Sequence, residues 1–114
     1  MPGTAFKASL RSVDGIAVVD MSGDVNRGAQ PELDEIYARA EAMGGSIVLD
    51  FTDVDYINST GIAVIVGILA KARAAGRPIR AYGLSEHYRE IFSITRISDF
   101  MAIYDNESAA VAAG

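Results

Sequence analysis

Residues 46–69, SIVLDFTDVDYINSTGIAVIVGIL, constrain the fold more tightly than any other part of the chain. They begin with a short apolar run, Ser46 to Phe51, with a carboxylate near its end. Consecutive apolar positions over so few residues predict a strand buried on both faces, as in a parallel sheet. TDVDYI reads as a loop, and the polar cluster Asn58–Gly61 leads into a helix from about Thr60 to Ala75. Its stretch GIAVIVGIL has no polar face. Such a helix is predicted to be buried on most of its circumference, against a sheet and with neighbours on its flanks.

The rest of the chain supplies that sheet and those neighbours. TAFKASLRSVDGIAVVDMSGDV reads as two strands joined by an Asp-Gly hairpin at Val13 to Gly15. Ile16, Val18 and Met21, with Ala17 and Val19, make the second strand apolar on both faces, as befits an interior strand. QPELDEIYARAEAMGG is helical, with Leu33, Ile36, Tyr37, Ala40 and Met43 on one stripe, Pro31 in the first turn and Gly44-Gly45 at the end. Gly76 and Pro78 stop the second helix, and Lys71, Arg73 and Arg77 complement the negative end of its dipole. PIRAYG is a strand. SEHYREIFSIT is a helix with Ser85 as cap and Tyr88, Ile91, Phe92 and Thr95 at helical spacing. FMAIYD is a last short strand, and ESAAVAAG a frayed helical tail. Tyr37, Tyr88 and Phe92 are read as core. The expected fold is α/β, one domain over residues 1–114, with a mixed, mostly parallel sheet of about five strands packed by about four helices.

Several function classes are excluded or weakened. The 114 residues carry a formal net charge of −5, without the basic footprint of a nucleic-acid binder. There is no Cys and a single His, His87, so disulfide scaffolds and thiolate or His-rich metal sites are out of reach. No stretch approaches the roughly 18 apolar residues of a membrane span, and the N-terminus lacks a signal-peptide core. A cytoplasmic location is expected, so the sequons at Asn58 and Asn106 are chance matches. Gly83–His87, GLSEH, resembles a nucleophile elbow but ends in His where Gly belongs, and no second His can act as base. Asp50, Asp53 and Asp55 offer oxygen ligands for Mg²⁺, yet nothing in their spacing fixes a coordination geometry. No phosphate-binding glycine motif is present, and no cofactor or metal is expected.

The polar cluster has a plain explanation: Asn58, Ser59 or Thr60 caps the helix, and Gly61 lets backbones pass closely. Its place gives a sharper one. In open α/β sheets, ligands gather beyond the carboxyl ends of parallel strands, and Ser59 follows such a strand at a helix N-terminus. A phosphate there would be tolerated by the fold while recharging the surface.

IVLDFTDVDYINSTGIAVIVG resembles the central pattern of the STAS domains of bacterial anti-sigma factor antagonists, an apolar strand followed by D-S-[ST]-G-[LIV] opening a helix. GDVNRGAQPEL, Gly23 to Leu33, and IFSITRISDFMAIYDNESAAV resemble two further family segments, so the likeness runs through essentially the whole chain in order. The resemblance implies a non-enzymatic regulator whose phosphorylated serine is Ser59. It also implies a switch surface made by Asp24, Asn26, Asn58, Thr60 and Gly61. The implied partners are a serine kinase that is also the anti-sigma factor and a serine phosphatase. A homodimer is left open, as are a STAS subunit of another assembly, such as a lipid-transport complex, and a small-ligand or nucleotide-binding module. The chain departs from the pattern where Asn58 and Asn26 replace Asp and where Arg96 replaces a common Gly after the third helix.

Overall fold

The computed structural model describes residues 3–113. Strand β1 (Lys7–Val13) turns through Asp14 and Gly15, both at positive φ, into β2 (Ile16–Val25). Two successive left-handed residues give the tight hairpin that Asp-Gly favours. A 3-10 turn (Arg27–Ala29) leads to α1 (Gln30–Ala42), followed by β3 (Ile47–Ile57), α2 (Ser59–Ala74), β4 (Ile79–Tyr82), α3 (Glu86–Ile94), β5 (Ala102–Tyr104) and α4 (Glu107–Ala112). The five strands form one sheet in the order β1-β2-β3-β4-β5, antiparallel at the hairpin and parallel thereafter.

This monotonic order decides where the helices go. Crossovers of one hand between successive parallel neighbours deliver every connecting helix to the same face. The main core accordingly joins Val19, Met21, Leu49, Phe51 and Ala81 of the sheet to Leu33 and Ile36 of α1, Ile65 and Ile68 of α2, and Phe92 of α3. Phe51 and Phe92 meet edge to face at 6.0 Å between ring centroids. Among the described residues, the opposite face is covered by α4 alone of the helices, its Ala110 and Val111 packing on Val18, Val48 and Tyr82.

Three expectations are corrected. TDVDYI is strand rather than loop: Asp53 to Ile57 continue β3 alongside Ser22 to Val25, with an extra residue of β3 at each of two register shifts, between Asp20 and Ser22 and between Gly23 and Asp24. The polar, exposed side chains of Asp53 and Asp55 hide that pairing from a reading based on apolar runs. The helix α2 is buried along one side only, at Gly61, Val64, Ile65, Ile68, Leu69 and Ala72, while Ala63, Val66, Gly67 and Ala70 face outward. The tail is helical as expected, and Asn106 caps α4 by accepting a hydrogen bond from the Ala109 amide at 2.9 Å. On the α1 stripe, Leu33, Ile36, Tyr37 and Ala40 are buried, whereas Met43 is exposed just past the helix end.

The α4 face carries a polar row that the core face lacks. Asp20, Asp50 and Tyr82 lie side by side on β2, β3 and β4. Arg11 donates to Asp20 at 2.5 and 3.0 Å and to Glu107 at 2.5 Å, and the Tyr82 hydroxyl donates to Glu107 at 2.8 Å. The Arg11 bonds hold Asp20 and Glu107 below the usual carboxylate range, while burial and the adjoining Asp20 push Asp50 above it. A carboxyl whose folded pKa is raised binds its proton more tightly folded than unfolded. Its contribution is therefore lost as pH rises from about 4, the unfolded Asp value, through the folded one. Asp20 and Glu107 act oppositely, losing their contribution as pH falls below about 4. Asp50→Asn, which keeps an acceptor for the Thr52 amide, is expected to remove the stability loss on the alkaline side of that window. Melting temperatures measured from pH 4 upward check this, the wild type declining more steeply than the variant.

At its edges the sheet ends in β1 on one side and the three-residue β5 on the other. On the β1 edge, Glu32 of α1 accepts a hydrogen bond from the Ala8 amide at 2.6 Å.

Candidate functional site

Three chain segments meet at the C-terminal end of β2 and β3. Asn58, in extended conformation, is the residue that caps α2: its Oδ1 accepts from the Gly61 amide at 2.8 Å and from the Thr60 hydroxyl at 2.7 Å. The Thr60 hydroxyl in turn accepts from the Arg27 amide at 3.0 Å, tying the loop after β2 to the helix. Asn26 does for the 3-10 turn what Asn58 does for α2, its Oδ1 accepting from the Gly28 amide at 2.9 Å. The Asn58 amide donates to the Val25 carbonyl at 3.3 Å. Gly61 lies against the same carbonyl so tightly that a Cβ there would sit 1.9 Å from its oxygen. Asp24, Asn26, Asn58, Thr60 and Gly61 are thus brought together around one junction.

Of the three candidate caps, then, Asn58 takes the role and Ser59 is released from it. Ser59 is the first residue of α2 and is exposed, with no hydrogen bond from its hydroxyl among the described residues. The amides of Ser59 and Thr60 precede the intrahelical ladder, and the first turn contains no acidic residue. An added negative charge at this position meets a positive helix end.

A cleft of about 550 Å³ opens alongside, lined by Thr4, Phe6, Asp24, Asn26, Tyr56 and Asn58. Asp24 is only 6% exposed, and its Oδ1 has no hydrogen-bond partner among the described residues.

One contributor was not legible as such. Tyr88, read as core, is half-buried, and its hydroxyl accepts from the Ile57 amide at 2.8 Å and donates to the Ile57 carbonyl at 3.4 Å. It fixes the backbone immediately before Asn58. The signal available was that a tyrosine on an apolar stripe needs a partner for its hydroxyl. Elsewhere the capping reading of Ser85 holds, with its Oγ accepting from the Tyr88 amide at 3.3 Å beside an exposed His87. Asp50 turns to Asp20 beneath α4 while Asp53 and Asp55 are exposed, and no group of three or more His, Cys, Asp or Glu among the described residues is placed to hold a metal ion. No helix among the described residues is long and apolar enough to cross a membrane.

Asn58→Asp is expected to change stability by less than about 1 kcal/mol, since a carboxylate caps as well as an amide and sits at the favourable helix end. Asn58→Ala should cost about 1 kcal/mol, because the Gly61 amide loses its acceptor. Chemical denaturation of the two variants checks the pair.

The sheet order, the polar junction at the head of α2 and the helices on one face together define a known class. A profile of the STAS domain matches residues 7–110, and the chain belongs to that family. Anti-sigma factor antagonists stand among its relatives and its structural neighbours. It is 29% identical over 98 residues to an anti-sigma-B factor antagonist of Listeria monocytogenes, with 85% of each chain covered. Among solved structures it matches an anti-sigma factor antagonist from Mycobacterium paratuberculosis at a TM-score of 0.76 and 21% identity, over 96% of this chain and 93% of the other. It matches the Bacillus cell fate determinant SpoIIAA in its phosphorylated form at a TM-score of 0.69 and 16% identity, over 96% and 100%.

Proposed function

We propose that this protein is a cytoplasmic anti-sigma factor antagonist switched at Ser59. In its unphosphorylated form it binds a serine kinase that is also the anti-sigma factor, through the surface made by Asp24, Asn26, Asn58, Thr60 and Gly61. Phosphorylation of Ser59 by that kinase releases it, and a serine phosphatase restores it. The observation that carries this reading is that Ser59 stands exposed at the head of α2 with its hydroxyl unengaged, the cap having fallen to Asn58. A phosphate there adds a charge of about −1.5 to −2 beside a positive helix end, so the fold survives. A partner docked over the junction meets instead a bulky, hydrated dianion. Desolvating it, or facing it with an acid, weakens the complex.

The test is incubation with ATP and the serine kinase of the host's anti-sigma system, with intact-mass and peptide mapping, followed by calorimetric titration of variants. One phosphate is expected, on Ser59. Ser59→Ala should fold and bind as the wild type and accept no phosphate, with a stability change within about 0.5 kcal/mol because it is not the cap. Ser59→Asp should fold normally and bind at least about tenfold more weakly, a loss of roughly 1.4 kcal/mol. Phosphate at another residue, with Ser59→Asp binding at full strength, would overturn the switch.

A further inference from the structure

The outward side of α2 continues into a surface that the junction at Ser59 does not use. Between the C-terminal half of α2 and residues 95–100 runs a groove of about 260 Å³, walled by Val66, Leu69, Ala70, Ile97 and Phe100. Val66 and Phe100 remain 45% and 53% exposed and line the same groove, so they form a patch rather than scattered single side chains. Arg73 and Arg96 border the groove, and Arg77 borders the adjoining cleft that shares Leu69, Arg73 and Phe100 with it. Arg73 lies 4.9 Å above the Phe100 ring rather than against a carboxylate, and Arg96 is bonded to Asp99 at 2.7 Å. In a chain of net charge −5, an apolar groove edged by Arg73 and Arg96, with Arg77 in the next cleft and one aspartate bonded to Arg96, is a local reversal of sign.

Arg96 stands just past the Thr95 cap of α3, at a φ of 66°, the left-handed conformation that commonly closes a helix. The turn sets its guanidinium on the groove's border.

We propose that this groove docks an amphipathic helix of a partner protein, its apolar ridge seated between α2 and residues 95–100 and its flanking acidic residues meeting Arg73, Arg77 and Arg96. Helix-in-groove recognition needs an apolar channel with anchors at i, i+3 or i+4, and i+7, and the charged borders set which helix fits. A second copy of this chain fits poorly, because a two-fold contact would set the arginine border against itself. Val66 and Arg73 follow Ser59 on one helix by 7 and 14 residues, about 10 and 21 Å along the axis. Those separations reach or exceed the screening length of about 8 Å at physiological ionic strength. Docking here is therefore indifferent to the charge state of Ser59. Combined with the switch proposed above, and resting on it for this one consequence, the groove keeps a partner tethered while the junction releases it.

The experiment titrates two synthetic helical peptides of equal length into the ¹⁵N-labelled full chain, both with Leu at i, i+3, i+4 and i+7, one flanked by Glu and the other by Lys. The Glu-flanked peptide should bind about tenfold more tightly, shift the amides of Val66, Ala70, Arg73 and residues 95–100, and lose that preference at high salt. Arg73→Glu with Arg96→Glu should turn the preference toward the Lys-flanked peptide, and Ser59→Asp should leave both affinities unchanged. Both arginines are exposed, so the double variant should melt like the wild type. If it does not fold, the salt dependence of the wild type decides. Equal affinity for the two peptides, shifts elsewhere on the chain, or self-association through these same amides would overturn the proposal. The Ser59 switch stands or falls separately, on kinase binding.

Discussion

Val64→Asp is expected to destabilise the protein by about 4 kcal/mol and to lower its melting temperature by roughly 15–20 °C. Val64 is 7% exposed on the inner side of α2, within the main core. A carboxylate placed there must either ionise without a partner or take up a proton, and each course forfeits much of a small domain's margin of stability. Val66→Asp, two residues on, supplies the control. Its side chain is nearly half-exposed, so the same chemistry should cost less than about 1 kcal/mol. Thermal melts of the two variants distinguish a helix buried on one side from one buried all round, for which both would collapse.

The second large effect is expected from a single methyl group. In Gly61→Ala the new carbon would lie 1.9 Å from the Val25 oxygen and 2.6 Å from its carbon. Both atoms are backbone, so no side-chain rotation relieves the overlap, and the head of α2 must back away from the end of β2. A cost of about 3 kcal/mol is expected, at the upper end of overpacking. The hydrogen bond from the Asn58 amide to Val25 is lost with it, so faster exchange of the Asn58 amide locates the damage. On the same helix, Gly67 is exposed and a Cβ there meets nothing within 4 Å. Gly67→Ala should therefore stabilise by about 0.5–1 kcal/mol.

The contrast between these two glycines shows where reading the sequence succeeds and stops. Periodicity located α1 and α3, because Leu33, Ile36 and Phe92 recur at the spacing of a buried stripe, while α2 was found as an apolar run between the polar cluster and Gly76. It located the interior strands as runs apolar on both faces. It stopped short of the second half of β3, where Asp53 and Asp55 are exposed and the pairing with β2 is a tertiary fact. It misjudged α2, because apolar residues facing a groove look no different in sequence from apolar residues facing a core. The junction was found from its position after a strand, yet the choice among Asn58, Ser59 and Thr60 as cap was settled by the loop after β2. There the Arg27 amide occupies Thr60 and the Val25 carbonyl positions Asn58. The burial of Asp24 and the grip of Tyr88 on Ile57 depend on contacts between elements far apart in the chain.

The sheet's two ends bear on what happens when many copies are crowded together. An open edge strand is a template on which another chain can add, and repeated addition leads to fibres. On one side β5 offers a template of only three residues. On the other, the longer β1 carries Lys7 and Arg11, and Glu32 already occupies the outward amide of Ala8. Neither border invites an incoming strand, so concentrated solutions of the folded protein should resist the growth of stacked β-aggregates, and Glu32→Ala should be among the changes that relax this protection.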